Sequence, residues 1–159
     1  MIELRSQFQG AVDVAATPEA AYALVCDVRE SGRHVSGLES VEPHGEDAWR
    51  WLTRKVGAGK VSLYVDYTIR YTRDDAARTL RWESLPGLGN SELHGSWTLT
   101  PTPRGVRLAL HNDLTLRMGI PRLLKKPAEV LFARENTRIL EGYLQNVKTT
   151  LEGGDGRRR

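Results

Sequence analysis

Cysteine is nearly absent: the 159 residues contain only Cys26. A single thiol excludes an intrachain disulfide framework and any cysteine-cluster metal site. Within a helical stretch it reads as a small buried residue rather than a reactive one. Long apolar runs are missing too, so no segment reads as a membrane span. The start, Met1-Ile2-Glu3-Leu4-Arg5, lacks the apolar core of a secretory signal, and the expected location is cytoplasmic. Aromatic residues make up only 7% of the chain, so the placement of its four tryptophans carries weight.

An excess of one charge is also lacking. The pI of 9.2 suggests a nucleic-acid partner. However, Arg157, Arg158 and Arg159 close the chain behind Gly153-Gly154-Asp155-Gly156, and without them 20 basic residues face 20 acidic ones. The body is neutral and has no electrostatic footprint for a phosphate backbone, so no nucleic-acid partner is expected. Residues 1–152 read as one domain and 153–159 as a disordered basic tail.

What is present is alternation. Ile2, Leu4, Ser6, Phe8, Gly10, Val12 and Val14 share one face, opposite Glu3, Arg5, Gln7, Gln9 and Asp13, which is the period of a long half-buried strand. Thr17, Pro18 and Glu19 then supply a cap, a first-turn proline and an acid for the positive end of a helix dipole. They predict a helix over 18–28, followed by a short second helix or turn in 29–37. Six further strands follow: 38–41, 49–53, 61–71, 80–83, 93–99 and 106–116. Gly57-Ala58-Gly59, Asp74-Asp75, Pro86-Gly87-Leu88-Gly89-Asn90 and Pro101-Thr102-Pro103-Arg104-Gly105 separate the later ones. From 121 to 151 the period changes to that of a helix, ~46 Å long if unbroken, with Pro127 kinking its first turns or marking its true start. Its seam reads Val130, Ala133, Thr137, Leu140, Leu144, Val147 and Leu151.

Strands with one apolar face predict an antiparallel sheet covered on one side. A sheet of such long strands curls, and the terminal helix is the natural filler of its concave face. The entry Thr17-Pro18-Glu19-Ala20-Ala21-Tyr22 and the closing run from Arg134-Glu135-Asn136 to Asn146-Val147-Lys148 carry a family resemblance. Residues 1–152 resemble the START/Bet v1-like (SRPBCC) superfamily, with polyketide cyclase/dehydrase and coenzyme Q-binding-like branches nearest. The resemblance implies a helix-grip α+β fold, in the order β-α-α-β6-α, with a curved antiparallel sheet of about seven strands around a long C-terminal helix. It also implies a cavity between sheet and helix for an apolar molecule such as a lipid, a quinone or a polyketide-like aromatic.

The inward strand phase mixes very large residues, Trp49, Trp51, Tyr67, Trp82 and Trp97, with small ones such as Ser6, Gly10 and Gly95. Large against small either fills the interior or leaves a hole. An empty apolar cavity of roughly 300–1,000 Å³ would cost ~7–24 kcal/mol, which rivals a net stability of ~5–15 kcal/mol. A large cavity is therefore wet or occupied, and a modest one can stay dry. Candidate ligand contacts are Trp51, Thr53, Leu63, Tyr67, Trp82, Trp97 and Leu110 on strands, Asn112 among the leucines of the last strand, and Thr137 and Leu140 on the helix. Asn112 either meets a ligand or is satisfied within the protein. Alternate turns of a meander share an end, which places Gly57, Gly59, Leu85, Leu88, Met118, Ile120 and Leu124 together, either as a cavity mouth or as the lid of the core.

No catalytic residue, metal or cofactor is expected. The histidines show no i, i+4 pairing and read as solvated. Gly57-Ala58-Gly59-Lys60 lacks the first glycine and the Ser/Thr of a phosphate loop, and Gly87-Leu88-Gly89 lacks the third glycine of a dinucleotide motif. The strand phases put Asp66, Glu83, Glu92 and Asp113 outside. Three functions remain open: a carrier of a small hydrophobic molecule, a cyclase/dehydrase-type enzyme, and a docking module. The third rests on 117–126, where Met118, Ile120, Leu123 and Leu124 stand among Arg117, Arg122, Lys125 and Lys126 and could touch an anionic membrane. The sequence does not determine an oligomeric state.

Overall fold

The structure, a computed structural model, describes residues 1–158. Strand β1 (Ile2–Val14) leads into helices α1 (Pro18–Cys26) and α2 (Val28–Gly32). Then come β2 (Leu38–Pro43), β3 (Ala48–Thr53), β4 (Val56–Ala58), β5 (Val61–Leu63), β6 (Asp66–Asp74), β7 (Thr79–Ser84), β8 (Ser91–Thr102) and β9 (Gly105–Met118). A 3-10 turn (Arg122–Leu124) introduces helix α3 (Lys125–Leu151), so Pro127 falls in the first turn, where it removes no hydrogen bond. Seven strands form one antiparallel sheet in the order β1-β9-β8-β7-β6-β3-β2, and β4 and β5 pair separately. This is the expected helix-grip fold.

Helix α1 starts where Thr17 Oγ1 accepts the Ala20 N–H at 3.1 Å. It stops two residues earlier than expected because Asp27 Oδ1 caps α2, accepting the Glu30 N–H at 3.1 Å. The strand expected over 61–71 is broken at Tyr64 and Val65. Thr53 Oγ1 takes the Val65 N–H at 2.8 Å, while the Asn90 side chain accepts from Asp66 N and donates to the Tyr64 carbonyl. Side chains thus replace ladder partners there, and β5 is free to swing out and pair with β4. Gly89 makes this possible: its φ is +70°, and a Cβ would lie 2.1 Å from the Asp66 carbonyl oxygen.

Helix α3 runs alongside β1 in the same direction. Asn136 Nδ2 donates to Ser6 Oγ at 2.9 Å, a Cβ on Gly10 would meet Leu144 at 2.9 Å, and Lys148 Nζ donates to the Asp13 carbonyl. Its buried residues are Ala128, Phe132, Leu140, Tyr143, Leu144, Asn146 and Val147. The expected seam holds from Leu140 onward and fails before it: Val130 is 62% exposed and Ala133 is also outside. Two stripes of equal period run through the first half of the helix, and the one carrying Phe132 buries the larger apolar surface.

Two other expectations meet different surroundings. His34, expected to be solvated, is fully buried. Its Nδ1 donates to the Glu30 carbonyl at 2.9 Å, which leaves Nε2 to accept from Thr150 Oγ1 at 2.8 Å. The expected free tail makes contacts with the body: Gly156 N–H donates to Thr150 Oγ1, and the Arg158 guanidinium donates to Asn146 Oδ1 at 2.6 Å. Arg159 lies outside the described residues. Deleting residues 154–159 strips these partners from Thr150 and Asn146 and is expected to lower stability by about 1–3 kcal/mol in urea denaturation. An unchanged midpoint would mean that the tail is free.

Candidate functional site

Between the sheet and α3 lies a cavity of about 130 Å³. Its apolar wall comes from Val25 and Val28 on the short helices, Leu63, Ile69, Leu80 and Leu110 on strands, and Phe132 and Leu140 on α3. Nine of the ten expected contacts line it: Trp51, Thr53, Leu63, Tyr67, Trp82, Trp97, Leu110, Asn112 and Leu140. Thr137 does not, because the first half of α3 is rotated away from the expected seam and presents Glu135, Asn136 and Ile139 instead. The strand residues were readable because alternation assigns a face directly.

The opening agrees with turn counting only at the Gly57–Gly59 turn, which belongs to the β4–β5 hairpin beside it. None of Gly57, Gly59, Leu85, Leu88, Met118, Ile120 and Leu124 lines the cavity. Met118 and Ile120 pack on the core, and Leu85 borders a groove on the outer face of the sheet. The exposed lining residues are Gly37, Arg54, Tyr64 and Arg138, so the cavity opens between the end of β3, the β4–β5 hairpin and the middle of α3. The hairpin that breaks the expected long strand is what moves the opening. At its rim, Arg138 Nη2 holds Glu135 Oε2 at 2.7 Å. Glu135 is the one carboxylate among the described lining residues, and strand phases had no means of finding a helical acid.

The polar groups inside divide into engaged and free. Asn112 Oδ1 accepts the Trp82 indole N–H at 2.9 Å. The two residues stand on β9 and β7, both in register with Gly95 on β8 between them. A Cβ on Gly95 would sit 2.6 Å from Asn112 Oδ1 and 2.9 Å from Trp82 Nε1, so glycine is what lets the bond pass over the middle strand. Thr53 Oγ1 is held by Val65 and the Tyr143 hydroxyl by Ser31 Oγ. Tyr143 also meets the Trp97 ring edge-on at 5.3 Å. Trp51 stacks on Tyr67 at 6.2 Å, and its buried N–H closes no hydrogen bond. Burial pushes the Tyr67, Tyr71 and Tyr143 phenols up from their ordinary pKa, so all three stay protonated at neutral pH.

No group of three or more His, Cys, Asp or Glu among the described residues is placed to hold a metal ion. On the outer face, His94 and His111 both approach Asp113 Oδ2, at 3.4 and 3.5 Å, away from the cavity. Burial raises the Cys26 thiol pKa, which suits a packing role. No described helix is long and apolar enough to cross a membrane.

Sheet, long C-terminal helix and the apolar space between them define a helix-grip protein. The family described as polyketide cyclase/dehydrase and lipid transport matches residues 5–152, and the chain belongs to it. A solved structure from Thermus thermophilus is 25% identical, with 92% of this chain and 97% of that one covered and a TM-score of 0.60. The Zhui aromatase/cyclase of a Streptomyces species is 18% identical over 94% of this chain and 99% of its own, with a TM-score of 0.67. A START superfamily protein from Mycobacterium smegmatis is 12% identical over 89% and 98%, with a TM-score of 0.57. No curated protein matches. The likeness to the last two is one of fold.

The Trp82–Asn112 bond gives a direct test of the site's construction. Asn112→Ala leaves a buried indole N–H unpaired and is expected to cost about 1–3 kcal/mol in urea denaturation. A loss near zero would show that the bond contributes nothing.

Proposed function

We propose that the protein binds a small hydrophobic molecule in the cavity between the sheet and α3. The observation that carries this is an apolar, aromatic-walled space of about 130 Å³ with its own opening beside α3. Left empty, it would cost ~3 kcal/mol at ~24 cal/mol per Å³, which a stable domain tolerates. Its volume is therefore not what argues for an occupant; its lining and its access are. A space this size fits one aromatic ring or the tip of a longer molecule, smaller than the roughly 300–1,000 Å³ of drug-sized sites. Membership of a family that includes lipid transport supports the reading.

The cyclase/dehydrase reading gains one observation, Glu135 at the rim, where a proton acceptor would be needed. A single variant pair separates the two. Ile139→Trp, which adds bulk at the half-buried edge of the opening, is expected to weaken binding of a single-ring aromatic by about tenfold in an NMR titration, with the melting temperature unchanged. Glu135→Gln is expected to leave that binding unaltered. Turnover of an aromatic polyketone by the wild type that Glu135→Gln abolishes would favour the enzyme.

We also propose a peripheral contact with anionic lipid at 117–126. Leu123 is 82% exposed and Val130 62%, and residues 117–134 hold five basic residues against Glu129, with Arg117 paired to Glu92 and Glu3 from neighbouring strands. Flotation with vesicles containing phosphatidylserine is expected to carry the protein, and Leu123→Ser to reduce this. Equal flotation with neutral vesicles would contradict the proposal.

A further inference from the structure

The free polar groups inside the cavity are unequal in kind. Acceptors are taken: Asn112 Oδ1 by Trp82, Thr53 Oγ1 by the Val65 N–H, and Ser31 Oγ and the Tyr143 hydroxyl by each other. Donors are left over. Asn112 Nδ2 bonds to no described residue, and because an indole N–H only donates, the amide must present its oxygen to Trp82 and its NH₂ elsewhere. The Trp51 N–H lies beside the Tyr71 hydroxyl oxygen without closing a well-aligned hydrogen bond, so the Tyr71 O–H is still free to donate. The Tyr67 and Tyr71 hydroxyls, both in the lining, find no partner of normal geometry among the described residues.

These two tyrosines are surrounded by protein yet keep part of their surface open, and both line the cavity. Burial raises the pKa of both, Tyr143 adds to that rise in each and Tyr67 in Tyr71, while the Trp51 side chain, aimed at the Tyr71 oxygen, works against it. Two unclaimed O–H groups, kept protonated, therefore share one apolar chamber beside the stacked Trp51–Tyr67 wall.

We propose that Tyr67 and Tyr71 are the specificity-determining residues of this cavity, donating hydrogen bonds that select a ligand with a carbonyl oxygen over an equally shaped hydrocarbon. The inference rests on the apolar-ligand reading of the same cavity. A carbonyl is a pure acceptor, so it can take the O–H of either tyrosine as well as the donor-only amide NH₂ of Asn112; a purely hydrocarbon ligand leaves all of them unpaired. A cationic ligand finds no carboxylate beyond Glu135, which Arg138 already holds at the rim.

Acetophenone and α-methylstyrene test this, because they differ only in C=O against C=CH₂ on a single-ring frame that fits the space. Affinities of both are measured by NMR titration for the wild type, Tyr67→Phe, Tyr71→Phe and the double variant. In the double variant the ketone-to-hydrocarbon affinity ratio is expected to fall about tenfold, with α-methylstyrene bound as tightly as before. Because neither hydroxyl holds the fold together, the melting temperatures of the variants should match the wild type. A ratio that stays the same in all four proteins overturns the inference while leaving the cavity a ligand site. Variants that unfold would show that the hydroxyls serve the fold, and would overturn it too. If neither probe binds the wild type, the ligand reading itself fails.

Discussion

One helix has to cover a sheet that is much wider than itself. Six strand spacings put β1 and β2 about 29 Å apart along the sheet, whereas a helix with its side chains is only about 10–12 Å across. Curling the sheet reduces the mismatch but does not remove it. Helix α3 follows β1, where Ser6, Gly10 and Asp13 meet Asn136, Leu144 and Lys148. Helix α1 packs against β8 and β9 and α2 against β2, so the strip under β3 and β6 is left to whatever the strands project inward. Trp51, Tyr67, Tyr71 and Trp82 project into it, and the space they do not fill is the cavity.

The same constraint explains where polar groups sit. A buried polar atom must be paired or open to a ligand or water. On the helix-covered side the pairs close within the protein, as between Asn136 and Ser6 or Asn146 and His34. Towards the cavity they close only in part: Asn112 gives Trp82 its oxygen across the bare backbone of Gly95 and keeps its amide NH₂. The Tyr67 and Tyr71 hydroxyls stay open. The site's chemistry is thus what the packing leaves unused.

Much of this was legible in the sequence because a strand has a period of two. Once Trp51, Tyr67 and Leu110 were placed in phase, their face was settled, and they do line the cavity. A helix offers no such certainty. Val130-Ala133-Thr137 and Ala128-Phe132 have the same spacing, and only contact with β1 decides which stripe is buried, so Thr137 was misplaced and Glu135 missed. Leu85, Leu88, Met118, Ile120 and Leu124 stand away from the opening for a related reason: turn counting assumes an unbroken meander, and the side chains of Thr53 and Asn90 break it at Tyr64 and Val65. His34 shows the limit of composition, since its burial depends on Thr150, more than a hundred positions away.

The central claim is that the space between sheet and α3 takes up an apolar molecule. Methyl-labelled NMR during titration with a single-ring aromatic addresses it most directly, because Leu63, Leu110, Ile139 and Leu140 place methyl groups around that space. The account expects saturable shifts concentrated on those four residues, with Val12 and Leu151 at the other side of the core nearly still. Shifts that never saturate, or that spread over surface methyls such as Leu123 and Val130 and leave those four unmoved, would contradict it.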